Sequence, residues 1–195
     1  MEKIIPRWEW RTFGDSFGEA DGQFAALVPG GVQESDEIYF LSPAGDQNVK
    51  VRDRLMDIKT LEQVNPDGLE QWKPVMKGSF PLPAAEVKNV FSALGVAPPP
   101  LARAEYTMEQ FVKELAEPGG RLRVVNVHKK RARYKIDGCT SEMTDVTADG
   151  KKTRTVALEL EDPARVIAAV RKLGLDRFKN INYPRGLKQL VGMKS

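Results

Sequence analysis

Alternation of charged and apolar residues restricts the fold of this chain more than any other feature. Residues 48–54 set Lys50 and Arg52 against Val49 and Val51, and residues 55–62 set Asp57 and Lys59 against Met56 and Ile58. Within 4–12, Arg7, Glu9 and Arg11 share one side, and Pro6, Trp8 and Trp10 take the other. Lys129, Arg131, Arg133 and Lys135 share a side of 121–136, and Glu159 and Glu161 oppose Leu158 and Leu160 in 153–161. A repeat of two is the period of a β-strand, whose successive side chains point to opposite faces. Further strands are expected over 36–41, 70–78 and 139–147. Asp137-Gly138 and Asp149-Gly150 suit the positive φ angles of two-residue hairpin turns. About eight strands, mostly joined by hairpins, make an antiparallel sheet.

Helices are fewer. Residues 84–95 show helical spacing and stop at Gly95, and Thr107 opens a helix running to about Ala116. Asp162-Pro163 supplies an N-cap and a first-turn proline for 162–173, which ends at Gly174, and a short last helix is expected over 184–191. Pro98-Pro99-Pro100 reads as a stiff connector within one domain spanning 1–195. The expectation is therefore an α+β fold, an eight-stranded antiparallel closed β-barrel with helices packed outside.

Which face of that barrel points inward decides the chemistry. In most small barrels the apolar face points in and the charged face meets water. Two observations favour the reverse. Cations recur on several strands while the last carries Glu-Leu-Glu, and Trp8 and Trp10 suit burial beneath amphipathic helices. A charged interior is costly unless its charges are compensated. A polyanion compensates cations, since Arg and Lys bind phosphate oxygens, and neighbouring carboxylates suit Mg²⁺ or Mn²⁺.

Several short motifs keep a fixed order: Arg7-Trp8-Glu9-Trp10-Arg11, Asp36 to Tyr39-Phe40, Val49-Lys50-Val51-Arg52, Asp57-Ile58-Lys59, Lys129 to Tyr134, Glu159-Leu160-Glu161, and Asn182-Tyr183 to Leu187. In that order they resemble the CYTH domain of the triphosphate tunnel metalloenzymes. That family reads Glu-x-Glu-x-Lys on its first strand and Glu-x-Glu on a late one. The resemblance implies an eight-stranded tunnel, a triphosphate or polyphosphate ligand, and Mg²⁺ or Mn²⁺. It implies phosphate binding by Arg11, Lys50, Arg52, Lys59, Lys129 and Arg131, with Arg133 on the same face. It implies metal ligands at Glu9, Glu159 and Glu161, and Glu142 joins them by counting across the turn at Asp137-Gly138. One departure matters: Arg7 stands where the family carries its first Glu, and Arg11 where it carries Lys. Either Glu142 or Asp57 then makes up the metal site, or that site is impaired.

The expected activity is metal-dependent hydrolysis of an inorganic or organic triphosphate. The alternatives are a non-catalytic polyphosphate- or nucleotide-binding regulatory module and a class IV adenylyl cyclase. The 30 basic and 27 acidic residues nearly balance, so no broad nucleic-acid surface is expected. A single cysteine, no leader-like start and no membrane-length apolar run place the chain in the cytoplasm without a membrane partner. His128, on the outward parity of its strand, and Cys139, beside a hairpin turn, are read as structural, and Pro29-Gly30-Gly31 as a turn.

Overall fold

Eight long strands close on themselves in the computed structural model, which describes residues 5–193. They are β1 (Arg7–Gly14), β2 (Gly31–Leu41), β3 (Asn48–Arg52), β4 (Leu55–Val64), β5 (Glu70–Ser79), β8 (Arg123–Ile136), β9 (Cys139–Ala148) and β10 (Lys151–Leu160). Two short strands, β6 (Leu82–Pro83) and β7 (Glu105–Tyr106), pair apart from the barrel. Around the barrel the order is β1-β10-β9-β8-β2-β3-β4-β5, and every pairing is antiparallel. Pairing of Arg7 with Trp72 and Glu9 with Glu70 joins β1 to β5 and closes the sheet. The closed antiparallel barrel expected from alternation is the observed fold.

Three hairpins turn on residue pairs with positive φ: Asp53-Arg54, Asp137-Gly138 and Asp149-Gly150. The pair 53–54 carries no glycine, so the expected strand 48–54 ends at Arg52 and its last two residues form the turn. The strand expected over 36–41 begins at Gly31, because Val32 to Ser35 pair with Lys129 to Ala132 on β8. The strand expected over 4–12 runs Arg7–Gly14; Ile4 lies outside the described residues. Glu161 falls just beyond β10.

Helices coat the outside, as expected, with one addition. The helix α1 (Glu19–Ala25), absent from the sequence expectation, packs Ala20 and Phe24 with Trp8, Trp10 and Leu158. Its glycine and single buried apolar turn give too little helical signal for the pattern to be read. The helix α2 (Ala84–Ala93) and the helical turns over Met108–Gln110 and Phe111–Ala116 bury Val87, Phe91 and Phe111 against Met56 and Ile58. The first of these turns, α3, carries the capping box of Thr107 and Gln110, and the second is a π-helix. The helix α4 (Pro163–Lys172), capped by Asp162, packs Val166 and Val170 over Trp8 and Leu158. No described helix is long and apolar enough to cross a membrane.

The last helix, α5 (Tyr183–Val191), behaves differently. Tyr183 and Leu187 join Tyr39, Leu41, Val125, Val127, Val146 and Ala148, all on inward-facing strand positions. The helix therefore stops one end of the barrel. Gly186 sits against the Phe13 ring so closely that a Cβ there would collide with it. Arg185 and Lys188 tie the helix to Asp46 in the β2–β3 loop at 3.0 and 2.9 Å. The barrel interior is thus apolar at the stopped end and polar at the other.

Candidate polyanion site

The strand period carries the charged residues inward, because Trp8, Trp10, Met56, Ile58, Leu158 and Phe40 are committed to the outer helices. Register then sets neighbours: Glu9 lies beside Glu159 and Glu70, Lys50 beside Tyr39 and Asp57, and Arg133 beside Glu142. The polar half encloses a cavity of about 630 Å³ at the mouth, bordered by Arg7, Glu9, Lys59, Trp72, Glu159 and Glu161. It shares Glu9, Asn48, Lys59, Glu159 and Tyr183 with a narrower inner chamber of about 140 Å³. Six cations line that chamber, Arg11, Lys50, Arg52, Lys59, Lys129 and Arg131, against the carboxylates Glu9, Glu142 and Glu159. The excess of positive charge is confined within low-dielectric walls, where it acts more strongly than on an open surface.

Two buried carboxylates organise the cations. Glu37 is fully buried and receives Lys129 Nζ at 2.8 Å and Lys50 Nζ at 3.0 Å on one oxygen. Lys129 also donates to the Tyr39 hydroxyl at 2.6 Å and lies over the Tyr183 ring at 3.9 Å. Burial pushes the Glu37 carboxyl up, but Lys129 and Lys50 overcome it and hold the group far below the usual carboxylate range. Glu142 takes Arg11 Nη1 at 2.9 Å on one oxygen and has Arg131 Nε 3.1 Å from the other. Burial again acts upward, and Arg11 and Arg131 hold this carboxyl down at about 2. Burial lowers Lys50 and, more strongly, Lys129, whose neighbour Lys50 repels it.

Both depressed carboxyls titrate below their unfolded values, which lie near 4.3. Their contribution to stability is therefore present above that pH and is lost as pH falls. Glu70 acts in the opposite sense: burial raises it, and it gives up part of its contribution as pH rises through its own range. The urea midpoint is expected to decline from neutral pH to pH 3, most steeply below about pH 4.5. A midpoint flat across that range would mean that Glu37 and Glu142 are not held by these cations.

Several polar atoms inside the barrel have no partner. The buried side-chain atoms without a hydrogen bond, among the described residues, are Asn48 Oδ1, Arg131 Nε, Thr144 Oγ1 and Tyr183 Oη, all on the inward face. Arg131 Nε is close to Glu142 but off the axis of a hydrogen bond. Unsatisfied buried polar groups are costly, and three of these four belong to residues that line the inner chamber, Asn48, Arg131 and Tyr183.

The residues expected at the site divide by position. Arg11, Lys50, Arg52, Lys59, Lys129, Arg131, Glu9, Glu142 and Glu159 meet around the inner chamber. Arg133 is exposed and donates to Gln33 at 3.0 Å, and Glu161 borders only the outer cavity. Lys130, on the outer face, is 3.9 Å from Glu34. His128 is also outward, against Asp36 at 2.9 Å, and Cys139 is buried under α4 with its thiol pushed up by burial. Asp36, matched by motif, thus lies outside, and the inward acid of that segment is Glu37.

Sequence reasoning missed Tyr39, Asn48, Trp72 and Tyr183 as lining residues, and Glu37 as the buried acid behind Lys50 and Lys129. Parity from Lys50 and Lys129 across β2 would have found Glu37 and Tyr39. Unlike Trp8 and Trp10, Trp72 lies at the mouth and donates its indole N–H to Glu70 at 3.2 Å.

The donor set does not present a cation site as it stands. Glu159 is paired with Arg7 at 2.9 Å, Glu9 with Arg11 at 3.0 Å, and Glu142 with Arg11 and Arg131. Asp57 lies 3.9 Å from Arg52. Among the described residues no group of three acidic, histidine or cysteine side chains is near enough to share a metal ion.

No protein-family model and no curated protein matches the chain. Solved structures do. A conserved hypothetical protein from Pyrococcus furiosus is similar over 94% of this chain and 99% of its own, with 18% identity and a TM-score of 0.51. A proposed adenylyl cyclase from Hippeastrum, described as having a dominant triphosphatase activity, is 16% identical over 87% of this chain and 88% of its own, with a TM-score of 0.48. A proposed adenylate cyclase from Bacillus halodurans is 10% identical over 92% and 95%, with a TM-score of 0.45. At such identities the likeness is one of fold.

Proposed function

We propose that the barrel binds the terminal phosphates of a triphosphate- or polyphosphate-bearing small molecule, taken end-on through its one polar mouth. The observation that carries this reading is the excess of cations over carboxylates in the inner chamber, six to three among its lining residues and six to four once Glu37 behind Lys50 and Lys129 is counted. Guanidinium and ammonium groups in a confined site bind phosphate oxygens through charge-assisted hydrogen bonds. The Arg131 Nε–H and the Tyr183 hydroxyl supply two further donors that the protein leaves unused. Because α5 stops the far end, a chain terminus fits and a threaded chain does not.

Calorimetric titration tests this. Linear tripolyphosphate is expected to bind at least about tenfold more tightly than cyclic trimetaphosphate, which has as many phosphorus atoms but no terminal phosphate and a lower negative charge. Equal affinity for both, or no binding of tripolyphosphate, would overturn the reading.

Glu159 and Glu161 at the mouth favour a second reading, hydrolysis of the bound triphosphate with Mg²⁺ or Mn²⁺. It requires carboxylates now paired with arginines to be released. Metal-stimulated release of orthophosphate would establish it, and cyclic AMP formed from ATP would establish a cyclase instead. Either reading fits a cytoplasmic protein, where triphosphates are abundant and the lone cysteine remains reduced.

A further inference from the structure

We infer that this tunnel binds polyphosphate without a divalent metal, because the Arg7 guanidinium, held by Glu159, is a built-in cation where the resemblance calls for a metal-binding carboxylate. The inference rests on the polyphosphate-binding reading above and specifies what neutralises the ligand.

The resemblance places a glutamate at position 7, which would join Glu9 and Glu159 around a cation. Arg7 is there instead, with Nη1 2.9 Å from Glu159 Oε1. Arg11 takes Glu9 at 3.0 Å and one oxygen of Glu142 at 2.9 Å, and Arg131 approaches the other oxygen. Glu9, Glu142 and Glu159 are thereby each paired with a guanidinium, and Glu161, which has no such partner among the described residues, borders only the outer cavity. A divalent cation at Glu159 would also sit beside the like charge of Arg7.

The same arrangement suits a bare phosphate. Arg7 is about half exposed, and Nη1 makes its one protein hydrogen bond among the described residues. Its remaining N–H groups border the mouth cavity that Lys59 also lines. Guanidinium offers a planar fork matched to two phosphate oxygens, which a carboxylate-bound metal would otherwise bridge. The Glu159 pairing orients that fork. Removal of one carboxylate from the site and addition of one guanidinium shifts its charge by two units toward cation, the direction in which a metal ceases to be needed.

Tripolyphosphate titration in EDTA and then in Mn²⁺ decides the matter, with wild type, Arg7→Ala and Arg7→Glu proteins compared. Wild type is expected to bind as tightly in EDTA as in Mn²⁺, or more tightly. Arg7→Ala should lose about tenfold or more in affinity and regain none of it with Mn²⁺. Arg7→Glu should lose at least as much in EDTA, then recover with Mn²⁺ and show bound Mn²⁺ by electron paramagnetic resonance without any ligand present. Arg7 lies at the rim with its side chain 53% exposed, so neither change disturbs the core. Wild-type binding that strengthens about tenfold or more on adding metal would overturn this inference alone. So would an Arg7→Glu protein that binds in EDTA like wild type. Absence of tripolyphosphate binding under every condition would instead defeat the polyphosphate reading, and this inference with it.

Discussion

Replacement of Glu37 by Gln is expected to cost about 3–5 kcal/mol of stability, the usual loss when one partner of a buried ion pair is removed. The amide keeps the volume and loses the charge. Lys129 and Lys50 would then face each other inside the barrel with no buried carboxylate between them. Burial already lowers both amines, and Lys50 lowers Lys129 further. For a chain of this length such a loss moves the thermal midpoint by about 10 °C. The double change Glu37→Gln with Lys129→Met should recover much of the loss, since it removes the stranded charge along with its partner. Denaturant titration of the single and double variants measures this. A Glu37→Gln protein within about 1 kcal/mol of wild type would mean that Lys50 and Lys129 do not depend on that carboxylate.

The joint change Arg52→Ala with Lys59→Ala is expected to weaken tripolyphosphate binding by at least about a hundredfold while leaving the thermal midpoint unchanged. Lys59 makes no ion pair among the described residues, and the carboxylates nearest Arg52 are 3.8 and 3.9 Å away, beyond hydrogen-bonding distance. Neither side chain is committed to the fold, unlike Lys129, which is buried between Glu37 and two tyrosines. A hydrogen bond to a charged group is worth roughly 1.5–3 kcal/mol, so two lost contacts lower affinity by that order. Removal of Arg52 also relieves its repulsion of Lys50, so the unliganded protein is not expected to lose stability. Affinity retained by the double variant would remove these two residues from the site and most of the case for the inner chamber. A parallel fall in midpoint and affinity would show that they act through folding.

These two expectations separate cations that hold the barrel from cations available to a guest. Lys50, Lys129, Arg11 and Arg131 each answer a buried carboxylate. Their charges are largely compensated before any ligand arrives. Lys59 and Arg52 carry the uncompensated or loosely held charge, and Arg7 at the mouth has its guanidinium half exposed beside its pair with Glu159. Under the proposed reading, a phosphate chain entering from that side would meet the available donors first and the satisfied network last.

The strand period alone determined that Arg11, Lys50, Arg52, Lys59, Arg131 and Glu159 share faces opposite Trp10, Val51, Ile58 and Leu158, because side-chain direction along a strand is a local property of the backbone. Turn chemistry at Asp137-Gly138 and Asp149-Gly150 was equally local, whereas Asp53-Arg54 adopts the same positive-φ geometry with a residue that gives no such signal. What only the tertiary structure decided was pairing across distance. Glu37 meets Lys129 across the β2–β8 register, Glu142 on β9 meets Arg11 on β1 over Ala157 of the intervening β10, and α5 brings Tyr183 inside. Arg7 finds Glu159 because β1 pairs with β10. These contacts join residues far apart in the chain, so no local pattern encodes them. They set which carboxylates are neutralised and which cations are left for an anion.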